Sequence, residues 1–198
     1  MRRAFCILLI GAMLPMFGSC IFAPKEKPAE PGTGQGPSYK PLDTKDNLFH
    51  NLELAYNQRN FEEFTKLLDS SGVFQFFFSP NDVRDGIVKN SQWGVGQELD
   101  ATQALLNPAP PPGQPRASSV VLELTFSEGD DEWQPFVPST HPNETWYDKS
   151  VSYFLEVKVN ETTYTQNKAV IAVFTVRFTE VNGDSLWQIV TWRDDLGN

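Results

Sequence analysis

An α+β domain carried behind an export signal is what this 198-residue sequence predicts, and three observations predict it. Apolar residues recur at helical spacing through residues 43–106. Beyond Pro115 they alternate with polar residues, the period of strands. The first twenty residues, MRRAFCILLIGAMLPMFGSC, have a basic start, a short apolar run and small residues before a cysteine, the layout of a secretory signal. Helices followed by an antiparallel sheet give the α+β class.

A spanning helix needs about twenty apolar residues. Here Pro15 and Gly18 interrupt a run that is already short, so residues 1–19 are expected to be removed. Phe17-Gly18-Ser19-Cys20 resembles the lipobox of bacterial lipoproteins, with Phe17 where Leu is commoner. The resemblance implies acylation of Cys20 and a membrane attachment through its acyl chains. An ordinary cleaved signal ending near a cysteine is the plainer alternative. Cys6 falls in the removed part, so no disulfide is expected. Ile21, rather than Asp, follows the cysteine, which favours the outer membrane in a Gram-negative source. The expected location is the cell envelope, facing away from the cytoplasm.

The whole chain carries a formal charge of −9, and loss of Arg2 and Arg3 makes the remainder more acidic still. Such a surface repels phosphate backbones, so nucleic acid is excluded as a partner. Residues 21–41, IFAPKEKPAEPGTGQGPSYKP, hold five prolines and three glycines with no apolar period. That composition buries too little to offset ordering entropy, and residues 20–42 are read as a disordered, lipid-anchored tether. One domain, 43–198, remains.

Within it, Leu48, Leu52, Ala55 and Tyr56 mark a first helix over residues 43–59, with Asp43 or Thr44 as cap. Asn60 and Glu63 form a capping-box start for a second helix bearing Phe61, Phe64, Leu67 and Leu68. The run VFQFFF, 73–78, is a buried strand, and residues 79–86 a turn. A third helix is expected from near Trp93 to Leu106 with Leu99, Ala101, Leu105 and Leu106 inward. The stretch PAPPPGQP, 108–115, is a stiff connection or a ligand for a proline-reading partner. Strands follow: one through Val120, Leu122 and Leu124, and one through Val151, Tyr153, Leu155 and Val157. The next, 169–178, is apolar on both faces, and Asn182-Gly183 turns the chain into a last strand over residues 186–192.

The segments NLELAYNQRNFEEFTKLLD (51–69) and VFQFFFSPNDV (73–83), with Trp187-Gln188-Ile189 and Trp192-Arg193-Asp194 near the end, resemble the SnoaL-like branch of the nuclear transport factor 2-like superfamily. The resemblance covers about residues 43–195. It implies a cystatin-like cone, a strongly curved antiparallel sheet wrapped around the amino-terminal helices with a cavity at its open end. Members include isomerases and dehydratases as well as inert binding and dimerisation modules.

Ketosteroid-isomerase-type members use a carboxyl whose pKa an apolar pocket raises. The candidates here are Asp82, Glu98 and Asp194, and each has a structural reading: a turn, a helix start favoured by the dipole, a strand end. No catalytic set is convincing. The aromatic residues exceed what a small sheet core needs, and Tyr56, Trp93, Phe174, Trp187 and Trp192 are the expected pocket lining. His50 and His141 lie too far apart in sequence to suggest a metal site, and no metal or cofactor is expected. The acidic residues Glu128, Asp130, Asp131 and Glu132 read as a solvated hairpin tip rather than a calcium loop. Asn143 and Asn160 begin glycosylation-type triplets that a bacterial lipoprotein would not use. The leading expectation is an anchored, non-catalytic binding or accessory domain with a small apolar ligand in the cone. The alternatives are a lyase or isomerase using a pocket carboxylate, and a module that forms a homodimer through the sheet.

Overall fold

The computed structural model describes residues 37–109, 116–126, 133–165, 170–181 and 183–195. The expected signal, Cys20 and most of the tether lie outside them, as do the acidic residues at 128–132 and most of the second proline-rich stretch.

The described chain opens with helix α1, Lys45–Asn57, where Thr44 Oγ1 accepts the Asn47 N–H at 3.1 Å and caps the first turn. Arg59 takes a left-handed φ of 55° to end the helix, and Asn60 then caps α2, Phe61–Leu67, by accepting the Glu63 N–H. The apolar stripes predicted for both helices are buried: Leu48, Leu52, Ala55 and Phe64 are 0% exposed. Strand β1 is Gln75–Phe77. The expected turn at 79–86 instead holds a short helix, α3 (Pro80–Arg84), because Ser79 caps it and Pro80 starts it with a preset φ. Trp93, expected in the third helix, stands on strand β2 (Gln92–Gly94); helix α4 (Val95–Leu106) begins only after it.

The remaining strands are β3 (Ala117–Thr125), β4 (Gln134–Phe136), β5 (Trp146–Val159), β6 (Thr162–Thr165), β7 (Val170–Val181) and β8 (Asp184–Asp195). Their order is β2-β1-β8-β7-β5-β3, with β4 and β6 also paired to β5. Every strand pairing is antiparallel except β1 with β8, which runs parallel and sets Phe76 beside Trp192. Parallel neighbours need a long crossover, and here everything from α3 to β7 supplies it. The sheet curls because β5 changes partners along its length: β7 takes residues 146–153 and β6 takes 156–159. A bulge between Thr175 and Val176 adds local twist. Gly183, at φ 89°, closes the predicted β7–β8 hairpin.

The folded unit starts at Pro37, earlier than the expected boundary at Asp43. Asn51 is the reason. Its side chain accepts the Lys40 N–H at 2.9 Å and donates to the Lys40 carbonyl at 2.7 Å. Tyr39 and Leu42 pack on the core, and Leu42 O accepts the Trp187 N–H at 2.8 Å.

Strand β7 buries Ala172, Phe174 and Val176 fully on its core side. On its outer side the chain supplies part of the cover. Arg177, 8% exposed, is held by Asp69 Oδ2 at 2.6 Å, Glu144 Oε2 at 3.0 Å and Ser71 Oγ at 3.0 Å. Ile171 on this side is left 36% exposed, and Phe178, beyond Val176 on the core-side face, 51%.

Candidate functional site

Between α4 and the inner face of the sheet lies a cavity of about 200 Å³. Five rings wall it: Tyr56 from α1, Phe76 from β1, Trp93 from β2, Tyr153 from β5 and Trp192 from β8. They brace one another, with Phe76 5.7 Å from both Trp93 and Trp192 between ring centroids. Leu105 and Leu155 complete the apolar lining.

Two carboxylates enter this apolar space. Glu98 lies in the first turn of α4, and Thr102, one helical turn on, shares its face. The buried stripe of α4 is therefore Glu98–Thr102–Leu106, and Ala101 and Leu105, expected inward, line the cavity beside it. Glu98 is 4% exposed; its Oε2 accepts the Trp93 indole N–H at 2.9 Å and its Oε1 the Thr102 hydroxyl at 3.0 Å. Burial lifts its carboxyl above the ordinary range, the two hydrogen bonds oppose that, and the charge of Asp194 adds to it.

Asp194 follows Trp192 by two residues on β8, so both point to the same face. Its Oδ1 accepts the Trp192 indole N–H and the Tyr153 hydroxyl, each at 3.1 Å. Burial pushes its pKa from 3.8 up to about 6, against those two bonds and with a contribution from Asp82. Both tyrosine hydroxyls are pushed upward as well, chiefly by burial; Glu98 adds to the shift of Tyr56 and Asp194 to that of Tyr153. They stay protonated near neutrality.

Of the expected lining residues, Tyr56, Trp93 and Trp192 line the cavity. Phe174 does not. It is 0% exposed and backs Trp192 from within the core, 4.8 Å between centroids. Trp187 does not either: the bulge returns it to the face that bears Trp192, but it pairs with Phe178 near the other end of β8, away from the cavity. It packs against Tyr147 and Phe178, with the Lys45 ammonium 4.6 Å from its ring. Asp82 sits on α3 outside the lining, although its charge is felt by Asp194 and Tyr153. Sequence reasoning missed Tyr153 and Thr102. The signal for Tyr153 was present: a phenol on the core side of a strand needs a hydrogen-bond partner for its hydroxyl.

A larger depression of about 550 Å³, beside α1, is lined by Asp46, His50, Glu53, Trp133 and Lys149 among others. Its charges are mixed, and it adjoins residues 127–132, outside those described. His50 Nε2 lies 3.1 Å from the Ser38 carbonyl, and His141 stacks near Trp146. No group of three His, Cys, Asp or Glu among the described residues is placed to hold a metal ion.

No protein-family model and no curated protein sequence matches the chain. Solved structures do. A protein of Novosphingobium aromaticivorans, assigned as an aromatic ring hydroxylase by name alone, superposes with a TM-score of 0.50 at 11% identity, over 76% of this chain and 85% of that one. The fold is an α+β cone. Similar structures include nuclear transport factor 2-like proteins at low identity. One from Rhodospirillum rubrum, of unknown function in nutrient uptake, gives a TM-score of 0.49 at 12% identity, over 79% of this chain and all of that one. One from Salmonella enterica gives 0.48 at 12% identity, over 77% and 87%.

Proposed function

We propose that the cone is a non-catalytic binding site for one small molecule, carried on an envelope-anchored lipoprotein. The observation that carries the reading is how the donors around the cavity are spent. Trp93, Thr102, Trp192 and Tyr153 all give their hydrogen atoms to Glu98 or Asp194. A general base working on carbon needs a second group to stabilise the oxyanion that forms, and of the indole and tyrosine donors among the described lining residues only the Tyr56 hydroxyl is not given to a carboxylate. A half-open, aromatic-walled space with two fixed acids suits holding a ligand better than turning it over. The experiment is a fragment screen by heteronuclear NMR, with neutral, anionic and cationic fragments. Binding fragments should move the indole N–H signals of Trp93 and Trp192 while leaving Trp187 in place. A screen in which no class moves them removes the reading.

One observation favours a second reading. Asp194, at about 6, is poised to accept a proton near neutrality, which suits a lyase or isomerase with Asp194 as base and Glu98 as the neighbouring acid. The anchoring part of the proposal rests on the sequence of residues 1–20. Two copies meeting on the outer face of β7, where Ile171 is bare, would be a further structural role, and sedimentation equilibrium tests it directly.

A further inference from the structure

We propose that the cone cavity takes a small organic cation, an ammonium head on an apolar body about the size of one ring. The inference rests on the small-molecule reading above and names its ligand class. Four features of the cavity point to it.

The first is the sign of the lining. Glu98 and Asp194 line it, and among the described residues no Lys, Arg or His does. The second is which atoms are open to a ligand. Both oxygens of Glu98 and Oδ1 of Asp194 already receive hydrogen bonds, whereas Oδ2 of Asp194 receives none from the described residues. Beside the Tyr56 hydroxyl, the cavity thus presents a carboxylate acceptor that no described donor fills. A neutral apolar ligand would seal that oxygen away from water unpaired, which is costly. An anion would meet two carboxylates. An ammonium group supplies both the missing donor and the missing charge.

The third feature is the wall. Trp93, Trp192, Tyr56, Tyr153 and Phe76 line it, and the faces of such rings attract cations, tryptophan most strongly. The fourth is size: about 200 Å³ admits a single ring with a short polar head and excludes a fused polycycle.

The environment of Asp194 makes the inference sensitive to pH. Tyr153 of β5, Trp192 of β8, Tyr56 of α1, Glu98 of α4 and Asp82 of α3 surround it or act on it. All are neutral or acidic. With no resident cation, burial holds the proton on Asp194 up to about pH 6. A bound ammonium reverses that preference and displaces the proton, so affinity rises with pH through this region and levels off above it.

The test titrates the purified protein with benzylamine, benzyl alcohol and benzoate at about pH 5 and about pH 7.5, by calorimetry and NMR. Benzylamine stays charged at both values. It should bind with the Trp93 and Trp192 indole signals moving, and about tenfold more tightly at the higher pH, from the fraction of Asp194 ionised. Benzyl alcohol should bind at least tenfold more weakly with no such rise, and benzoate not at all. Asp194→Asn keeps a hydrogen-bond acceptor for Trp192 and Tyr153 but loses the charge. It should weaken benzylamine at least tenfold and flatten its pH dependence. Unchanged indole dispersion in the apo variant shows that the fold is kept, and Glu98→Gln gives an independent check with a smaller loss. If benzyl alcohol binds as tightly as benzylamine, the cation class is overturned while the small-molecule pocket stands. The cation class falls in the same way if Asp194→Asn leaves benzylamine unchanged, or if benzylamine moves only surface signals. If none of the three probes binds, the cation class is overturned, and the wider fragment screen then decides the pocket separately.

Discussion

Replacing Asp194 by Asn should make the protein more stable near neutrality, and the amount follows from where the carboxyl sits. Folding lifts its pKa from 3.8 to about 6. That difference corresponds to about 3 kcal/mol between the protonated and ionised forms, as an order of magnitude. The sign follows from linkage: a raised folded-state pKa gives a stability contribution fully present below about pH 4. As pH rises, the unfolded chain releases the proton first, so the contribution is lost progressively up to the folded-state value. Above about pH 6 the folded protein carries the full cost of a sheltered charge. An amide has no such titration, and its oxygen still accepts from Trp192 and Tyr153. Urea unfolding of wild type and Asp194→Asn at intervals between pH 4 and pH 8 reads the effect directly. The stability difference should move by about 3 kcal/mol across that range, in favour of the variant at the alkaline end. Parallel profiles, with a constant difference at every pH, would refute the account of Asp194.

Three further outcomes follow from the geometry. Arg177→Met strips the partner from Asp69, which is 1% exposed, and should cost about 3–5 kcal/mol in urea unfolding; adding Asp69→Asn should restore part of it. Phe174→Ala removes the ring that backs Trp192 at a fully buried site and should cost about 3–5 kcal/mol, with the Trp192 indole signal displaced. Cys20→Ala should abolish incorporation of labelled palmitate in cells; label that persists, or is absent from the wild type, removes the lipid anchor.

Much of the fold was legible because local and global signals agree. Thr44 and Asn60 cap the helices they were expected to cap, and Gly183 turns the hairpin it was expected to turn. The parallel pairing of β1 with β8 was not legible, since a three-residue strand carries no signal of direction and its partner lies more than a hundred residues away. The start at Pro37 was hidden for a related reason. Proline-rich composition argues for disorder, and bonds from the distant Asn51, Gln58 and Trp187 override it. At the site, Glu98 and Asp194 were visible as candidates, but their facing was not. On α4 the expected apolar residues Ala101, Leu105 and Leu106 do face inward, but hydrophobic spacing alone does not show that Glu98 and Thr102 share that side. Trp187 was misplaced because composition counts tryptophans without regard to where along the strand they fall: it shares the face of Trp192 but stands near the other end of β8, beside Lys45.

The short strap at residues 38–42 has a mechanical consequence. It is buttoned to α1 by Asn51 and to β8 by the Leu42–Trp187 bond. A pull on the amino-terminal side of Pro37 therefore loads the first helix and the last strand together, and β8 is the strand that bears Asp194. In a chain hung from its front end, the leash is fastened to the same rail that carries the acid.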